Sequence, residues 1–406
     1  MMNDQRTGNP VTCSSRDAHI EYQSAIDLIL GSETGAAERL DRALALDPQF
    51  ALAAVARYLV AKDAKESHAN QFKAQAIESA RGASELERAH VETLIALLDD
   101  PYRALASTEA YIETNPGDLL IISQLCGYLI FYGGPTKLTR VLDLLESVHD
   151  HLKDDWAYLS RLGFAASEAG DVERGRALVE RALAIRPQAL YSVHSLAHVL
   201  HDAGAPEEST RRLARWLDEH GQHARQGQLY GHVHWHLALS EWQLGERDKA
   251  MARYSAYCAP STTTCGPVLT LADCGGFLLR DYLATGRNTP LAGDVEDQIK
   301  KFTGMLAHPF IALHVGGLYA SAGDIDGLKS CRNHVENASP GSNRDTSLAL
   351  IDALIDLTEN RYASAASRLQ NLNRATRIGV GGSRVERILI DLIEQRALEQ
   401  SRQVNA

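Results

Sequence analysis

Apolar residues recur every three or four positions along most of the chain, which is the spacing that lines one face of an α-helix. The clearest stretch runs from Trp156 to Pro187, where two such helices are separated by Gly170 and Asp171. Glycine tolerates the positive φ of a helix end and aspartate caps the helix that follows, so this stretch predicts an antiparallel helix pair. Runs that alternate between apolar and polar residues, as strands do, are nearly absent. The pattern predicts an all-α fold.

The helix pair recurs along the chain. Related phrases of the type Ala-Leu-x-Leu-Asp-Pro end at Pro48, Pro116 and Pro187, which are 68 and 71 residues apart. These intervals are close to twice the tetratricopeptide period of about 34 residues. Each proline follows one amphipathic helix and precedes another, because proline cannot continue the helix before it. We therefore predict a tetratricopeptide-like α-solenoid of antiparallel helix pairs; that it is curled around a central cavity is implied only by the family resemblance described below.

The array is expected to span residues 17–399 as a single domain, with residues 1–16 and 400–406 as mobile ends. Its pattern weakens at residues 258–268, CAPSTTTCGPV, which are rich in Ser, Thr and Pro. Such a composition is typical of a loop rather than of a helix. We predict an embedded polar loop there, after which a helix resumes near Leu269.

The formal net charge of −11 bears on the class of partner. Nucleic-acid binding needs a basic surface that displaces counterions, so no nucleic-acid partner is expected. No apolar run approaches the roughly 20 residues of a membrane-spanning helix, and the first residues lack the basic and apolar regions of a secretory signal. The sequence therefore predicts a cytoplasmic protein without a membrane partner, and it leaves the oligomeric state open.

Six cysteines are present, and no two of them form a Cys-x-x-Cys pair. In a chain without a secretory signal they are expected to be free thiols. Cys258, Cys265 and Cys274 flank the polar loop, where they form either a reactive thiol site or ordinary buried thiols.

Histidines are concentrated in one part of the chain, because eight of the sixteen fall between His194 and His236. The first group consists of His194, His198 and His201, spaced at i, i+4 and i+7. At this spacing the three imidazoles lie on one stripe of a single helix.

A second helix carries His232 and His236 at i and i+4, with His234 pointing to the other side. This His-x-x-x-His spacing allows two imidazoles to converge on one ion. A single helix, residues 205–219, separates the two histidine helices, so in a solenoid they are expected to stack as successive inner helices. We predict that the two pairs, four imidazoles in all, meet at one point and bind a metal.

A polar ligand pocket without a metal and ordinary packing are the other interpretations of these histidines. The paired histidines enclose Ser-Leu-Ala and Val-His-Trp, so the internal Glu of the zincin metalloproteases is missing. Glycine-rich phosphate loops are also missing, so no nucleotide cofactor is expected. Four side chains on the presumed inner helices are the predicted ligand-binding residues: Tyr191, His201, Tyr230 and Trp235.

Several phrases resemble the tetratricopeptide repeat protein 38 family. They are ELERAHVE at 85–92, VHSLAHVLHDAG at 193–204, YGHVHWHLALSEWQLGE at 230–246, LADCGGFLLR at 271–280 and FIALHVGGLYASAGD at 310–324. The resemblance extends over residues 35–330. It implies a closed solenoid with a histidine-lined cavity, to which His314 of the last phrase contributes as a further metal ligand. It implies no particular reaction.

The chain departs from the family pattern where relatives carry carboxylates, since His201, Gln243 and Ala312 stand at such positions. A site with fewer carboxylates and more imidazoles favours Zn, Fe or Cu over Mg, Ca or Mn. Acids that remain near the resembling phrases are candidates for orienting a histidine or acting as a catalytic base. They are Asp273, Glu168 and Glu241.

These observations favour an enzyme, or an enzyme-like binder, that acts on a small molecule at a metal-binding cavity. Zinc would support hydrolysis, and iron or copper would support oxidation. The alternative is a non-catalytic adaptor that binds a partner peptide in its groove. An adaptor groove would carry Asn, Lys and Arg to hold a peptide, whereas the presumed inner helices here carry His, Trp and Tyr.

Overall fold

The computed structural model describes residues 2–4, 6–132 and 134–404. Nearly all regular structure in this range is helical, which confirms the predicted all-α fold. The helices are α1 (Arg16–Leu30), α2 (Ala36–Leu46), α3 (Ala51–Asp63), α4 (Ala69–Ala80), α5 (Glu85–Asp99), α6 (Pro101–Thr114), α7 (Leu119–Tyr132), α8 (Lys137–Ser147), α9 (His149–Leu152), α10 (Trp156–Ala169), α11 (Val172–Ile185), α12 (Leu190–Asp202), α13 (Pro206–Ala224), α14 (Tyr230–Gln243), α15 (Arg247–Tyr257), α16 (Pro267–Thr285), α17 (Gly293–Lys300), α18 (Pro309–Ala322), α19 (Ile325–Glu336), α20 (Ser342–Thr358), α21 (Tyr362–Gln370), α22 (Arg374–Gly379), α23 (Arg384–Arg387) and α24 (Leu389–Val404). Short 3-10 turns occur at Gly134–Thr136 and Thr303–Met305.

An N-terminal hairpin is the only sheet among the described residues. Its strands are β1 (Met2–Asn3) and β2 (Pro10–Val11), which pair antiparallel. The guanidinium of Arg6 attaches the hairpin to the helices, because it donates to Asp27 at 2.6 Å and to Asp155 at 2.7 Å. The sequence did not predict this hairpin, since two-residue strands are too short to show alternation.

The predicted mobile ends cover residues 1–16 and 400–406, of which residues 1, 5, 405 and 406 lie outside the described part. The mobility of these ends stays a prediction.

The chain divides into two compact units, each built from three segments that are not contiguous in sequence. The prediction of one array over residues 17–399 is not tested by this division and stays a prediction. Unit 1 is Met1–Leu129, Thr139–Val199 and Leu217–Gly227, and unit 2 is Ile130–Leu138, Leu200–Trp216 and Gln228–Ala406.

Unit 1 contains consecutive helix pairs, α1 with α2, α3 with α4, α5 with α6, and α10 with α11. The last pair forms as the sequence predicts, because Gly170 ends α10 with a φ of 107° and the Asp171 carboxylate caps α11. A close crossing of the two helices depends on Gly163, where a Cβ would lie 2.8 Å from the carbonyl oxygen of Gly175. No larger residue fits there without moving the backbone.

Unit 2 follows the same scheme, with α14 packed on α15, α16 on α18, and α20 on α21. Turns like the one at Gly170 occur at Gly245 and Gly323, whose φ values of 82° and 72° are in the left-handed region. Helices α16 and α18 approach closely at Gly275, where a Cβ would lie 2.7 Å from the carbonyl oxygen of His314. This approach fixes the position of His314 relative to α16.

A buried lysine joins two distant segments of unit 2. The Lys137 side chain is 1% exposed, and its ammonium donates to the carbonyls of Ile130 at 2.9 Å and of Gly382 at 2.6 Å. Nearby, Gly379 lies against the ring of Pro135. Pro135 and Lys137 are therefore packed against the chain near residue 380.

The predicted polar loop joins α15, which ends at Tyr257, to α16. Helix α16 begins at Pro267 rather than near Leu269, because proline suits the first turn of a helix, where its missing N–H is not needed. The loop is thus two residues shorter than the predicted 258–268. Within the described residues, no helix is both long enough and apolar enough to cross a membrane.

Candidate metal centre

The first histidine pair lies on α12, in the part of that helix that belongs to unit 1. His194 and His198 are both buried, and their rings meet edge to face with centroids 4.6 Å apart. The Nε2 atoms of the two rings are 2.9 Å apart. The i, i+4 spacing thus brings the two imidazoles together on one helix face, as the sequence predicts.

This Nε2–Nε2 distance has a direct chemical meaning. Two nitrogen lone pairs repel each other at 2.9 Å, so either one ring donates its Nε2–H to the other or the two rings share a cation. Two imidazoles on one tetrahedral zinc have nitrogens about 3.3 Å apart, given Zn–N bonds of about 2.05 Å. The pair therefore needs only a small outward shift to serve as two ligands of one ion.

Aromatic side chains of unit 1 surround this pair. Phe164 meets His198 edge to face at 4.8 Å, and Tyr191 meets His194 at 5.7 Å. The guanidinium of Arg161 lies 4.1 Å from the centroid of the Tyr191 ring, an attractive cation–π contact. Tyr191 therefore lies beside the first pair, and its predicted role in ligand binding stays a prediction.

The second pair lies on α14 in unit 2. His232 and His236 are buried, and their ring centroids are 4.6 Å apart. His232 Nδ1 donates to Asp273 Oδ1 on α16 at 2.6 Å. We call this contact the His232–Asp273 dyad. Because Nδ1 carries the proton, Nε2 is the His232 nitrogen whose lone pair can coordinate a metal.

Burial and charge oppose each other in the dyad. Burial alone would lower the pKa of His232, but the charge and hydrogen bond of Asp273 outweigh it and raise that pKa. Burial raises the pKa of Asp273, although the attraction of His232 acts in the opposite direction. The second carboxylate oxygen of Asp273, Oδ2, is buried and has no hydrogen-bond partner among the described residues.

Trp235 holds the dyad in place from one side. Its ring stacks on His232 with a centroid distance of 5.1 Å and an interplanar angle of 11°. Its Nε1 donates to the backbone carbonyl of Asp273 at 2.9 Å. The Trp235 side chain is fully buried, and its predicted role in ligand binding stays a prediction.

His314 on α18 is fully buried, and its Nδ1 donates to the carbonyl of Phe310 at 2.7 Å. Its Nε2 therefore carries a lone pair, and this atom has no hydrogen-bond partner in the described part of the chain. Burial lowers the pKa of His314, which keeps the ring neutral and able to coordinate a metal.

His201 lies on α12 in the part that belongs to unit 2. Burial, together with the charges of Arg280 and Arg384, lowers its pKa to about 4. Its ring is therefore neutral at physiological pH.

Two buried charges of unit 2 were missed by the sequence reasoning. Arg280 donates to the carbonyl of Gly276 at 2.7 Å and to the carbonyl of Val385. The carboxylate of Glu386 accepts from the backbone and hydroxyl of Ser383 at 2.6 and 2.7 Å. The negative charge of Glu386 acts on the pKa values of the dyad, of His314 and of Arg280. The sequence signal that could have indicated Arg280 is its position directly after the apolar run Phe277–Leu279.

Another face of α14 has a different environment. His234 stacks on Tyr257 at a centroid distance of 3.7 Å, and Tyr230 meets His234 at 4.7 Å. The carboxylate of Glu241 accepts two hydrogen bonds from Arg253, both of 2.8 Å. Residues 230, 234 and 241 share this face because seven residues make nearly two helical turns. The predicted ligand-binding role of Tyr230 and the predicted catalytic role of Glu241 stay predictions.

Glu168, the third predicted acid, is buried on α10 in unit 1. The thiols near the polar loop are free. Burial raises the pKa values of Cys258, Cys265 and Cys274, the last to about 12, so at neutral pH they carry their protons and are poor nucleophiles. These raised pKa values favour the interpretation as ordinary buried thiols over a reactive thiol site.

Each of the four paired histidines is buried and offers one ring nitrogen that could bind a metal ion.

No family model matches the chain. Solved structures similar to it include a chain of the APC/C hetero-tetramer Cut9–Hcn1, with 15% identity over 92% of this chain and 69% of that chain and a TM-score of 0.47. Another is the human IFIT1 dimer with m7Gppp-AAAA, with 13% identity over 97% of this chain and 88% of that chain and a TM-score of 0.45. At these TM-scores the similarities carry no argument about function, and the resemblance to the tetratricopeptide repeat protein 38 family stays a prediction.

Proposed function

We propose that this protein is a metal-dependent enzyme acting on a small molecule, and that its paired histidines bind a transition-metal ion. The His232–Asp273 dyad carries the proposal. A buried carboxylate that accepts from one imidazole nitrogen, and so aims the other, is the usual support of a metal-binding histidine. The close Nε2 atoms of His194 and His198 support it independently, because a cation is one of the two centres that can lie between them.

The donor set limits the metal. Imidazole nitrogens dominate, and carboxylates are few, which suits Zn, Fe or Cu better than Mg or Ca. When bound, zinc would supply an activated water for hydrolysis, whereas iron or copper would supply redox chemistry. The identity of the metal therefore decides between a hydrolase and an oxidoreductase.

The chain's own residues have separate roles in this proposal. Asp273 orients His232 through Oδ1, and its buried Oδ2 is the oxygen placed to accept a proton. Arg280 and Glu386 bring buried charges of opposite sign to the same unit. His314 offers a neutral Nε2 as a further ligand.

Elemental analysis of untagged protein, purified without a nickel column, tests the proposal. We expect Zn, Fe or Cu at close to a stoichiometric level. His198→Ala and His236→Ala should each lower the metal content by at least about tenfold, with the helical circular dichroism retained. The stoichiometry also tests the sequence prediction that the two pairs meet at one ion, since one ion per chain agrees with it and two ions do not.

Two control variants make the experiment specific. His234→Ala removes an imidazole from the same helix but from a different face, and His334→Ala removes an exposed one. Both should retain the metal. If the wild-type protein holds no more metal than a blank, or if the controls lose as much as His236→Ala, the proposal is wrong.

A further inference from the structure

Unit 1 contains a cavity of about 440 Å³ that none of the candidate metal ligands lines. This volume is in the range of small-molecule sites, which is about 300–1,000 Å³. The N-terminal hairpin and its loop form one part of the wall, and helices α1, α5 and α6 with the start of α7 form much of the rest. Residues that are distant in the sequence meet here, so the cavity is a product of the fold.

The wall of this cavity carries negative charge. Three carboxylates line it, those of Asp4, Glu87 and Asp118. The arginine of the lining, Arg6, does not offset them, because it donates to two carboxylates outside the lining, Asp27 at 2.6 Å and Asp155 at 2.7 Å. A wall of this kind attracts a cationic ligand and repels an anionic one.

Two of these carboxylates are held by donors of the protein itself. His90 Nδ1 donates to Asp118 Oδ2 at 2.6 Å, and the Tyr111 hydroxyl donates to the same oxygen at 2.8 Å. The imidazole of His90 offsets the charge of Asp118 only when it is protonated. The carboxylate of Glu87 accepts from Thr12 at 2.8 and 2.6 Å. Asp118 and Glu87 therefore contribute mainly their charge to the cavity.

Asp4, in the hairpin loop, has an oxygen that is still available. Its Oδ1 accepts from the backbone N–H groups of Arg6 and Thr7 at 2.9 and 2.8 Å, and from the Thr7 hydroxyl at 3.1 Å. No described residue donates to its Oδ2. The bonds to Oδ1 fix the position of the carboxylate, and Oδ2 remains a charged acceptor.

The hydroxyl of Tyr22 is the second available group. Tyr22 lines the cavity and is only 4% exposed, yet its hydroxyl has no hydrogen-bond partner among the described residues. Burial raises the pKa of this hydroxyl well above its ordinary value, and the charges of Asp4 and Asp118 raise it further. The hydroxyl is therefore uncharged and lies in the field of the same carboxylates. A buried hydroxyl without a partner is costly unless a ligand bonds to it.

The rest of the lining is partly polar and partly apolar. Asn115 Nδ2 donates to the Tyr111 carbonyl at 3.0 Å and to the Thr114 hydroxyl at 2.9 Å, which leaves its Oδ1 as another acceptor. Further polar side chains of the lining are those of Asn9 and His151, and its apolar side chains include Ile26, Leu52 and Leu120. The apolar part of the wall suits a hydrocarbon body.

We propose that this cavity binds a small organic amine in its ammonium form, whose N–H groups donate to Asp4 Oδ2 and to the oxygen of the Tyr22 hydroxyl. An ammonium group has three donors and no acceptor. It therefore matches a wall that is negatively charged and in which Asp4, Tyr22 and Asn115 offer acceptors. An anion has no such donors, and a neutral alcohol lacks the charge.

Ligand-observed NMR with the full-length protein tests this proposal, with phenethylamine as the probe. Phenethyl alcohol is the matched neutral compound, and hydrocinnamate is the matched anion. The trimethylammonium analogue of phenethylamine keeps the positive charge but has no N–H donor. We expect saturation transfer to phenethylamine and at least about tenfold weaker binding of the other three compounds. Equal or tighter binding of any of them would overturn the assigned ligand class.

Variants locate the amine in the cavity. Tyr22→Phe removes only a hydroxyl that bonds to no described residue, so amine binding should weaken about tenfold without a loss of stability in urea. Tyr102→Phe is the matched control, because Tyr102 is 74% exposed, and it should bind the amine as the wild type does. Asp4→Asn keeps an oxygen for the backbone N–H groups but removes the charge, so binding should weaken about fivefold. No binding to the wild-type protein, or wild-type affinity in both cavity variants, would show that the proposal is wrong.

Amines also coordinate transition metals, so each titration is repeated in the presence of EDTA. Equal binding with and without EDTA is expected, because the cavity contains none of the candidate metal ligands. Loss of binding in EDTA would assign the amine to a metal and overturn the proposal. The amine site and the proposed metal site can therefore fail independently.

Discussion

The close approach of α16 and α18 makes Gly275→Ala an informative perturbation. A methyl group at this position would lie 2.7 Å from the carbonyl oxygen of His314 and 3.0 Å from its Cα and Cβ. A carbon normally stays at least about 3.3 Å from a carbonyl oxygen, so the two helices must separate locally by about 0.6 Å. These opposing atoms belong to the backbone or lie next to it, so a change of rotamer cannot relieve the contact.

The expected magnitude follows from two opposing effects. Overpacking of this kind costs about 1–3 kcal/mol, and a contact with backbone lies at the upper end. Replacing a helical glycine by alanine stabilises the helix by about 0.8–1 kcal/mol, which offsets part of this cost. We therefore expect Gly275→Ala to reduce the free energy of unfolding by about 1–2 kcal/mol, or the melting temperature of unit 2 by several degrees. Metal content should fall as well, because Asp273 and His314 move apart.

Gly127→Ala is the matched control. Gly127 also lies inside a helix, α7, but a Cβ there would meet nothing within 4 Å. This substitution should stabilise the protein by about 0.5–1 kcal/mol, because alanine lowers the conformational entropy of the unfolded chain and no steric cost opposes this gain. Urea and thermal unfolding followed by circular dichroism measure both variants. Opposite signs are expected, and a Gly275→Ala protein as stable as the wild type would refute the steric argument.

Two further predictions concern buried histidine–carboxylate pairs. Asp273→Asn should weaken metal binding about 10–100-fold in a competition titration, because His232 loses the carboxylate that orients it. The helical circular dichroism should be retained. An unchanged metal affinity would show that the dyad does not support a bound metal. His90→Gln should destabilise unit 1 more at about pH 5.5 than at about pH 9 in urea unfolding. Because the pKa of His90 is raised in the folded protein, protonation of His90 stabilises the fold. This contribution is complete below the unfolded pKa of about 6.5 and is lost as the pH rises through the folded pKa. The lowered pKa of Asp118 keeps its carboxylate ionised throughout this range. An equal loss at the two pH values would contradict this assignment.

The helical pattern was sufficient to predict most of the fold. Local signals such as Gly170 and Asp171 determine where one helix ends and the next begins, so they can be interpreted without tertiary information. Helix α13 runs through Gly221 to Ala224, beyond the predicted end at residue 219, so a glycine that favours a helix end does not end the helix here. The division of the chain into interleaved units depends on contacts between distant segments, which periodicity does not encode.

The candidate site was predictable only in part, for the same reason. The shared face of His194 and His198 follows from their spacing, since both belong to one helix. The same helical rule would have placed Glu241 with His234 rather than with His236. Arg280 and Glu386 were missed because their environment comes from the packing of α16 on the segment around residue 385.

The buried contact between Lys137 and Gly382 has a consequence for biosynthesis. The two residues are 245 positions apart in the chain, so the ammonium has no access to this acceptor until residue 382 has left the ribosome. Unit 1, whose last segment ends at Gly227, can complete its packing while more than a third of the chain is still untranslated. During that interval the nascent chain holds segments 130–138 and 200–216 without the rest of their unit. A ribosome that stalls late in the message would therefore leave apolar surface of unit 2 uncovered, and this species is the one that chaperones would need to protect.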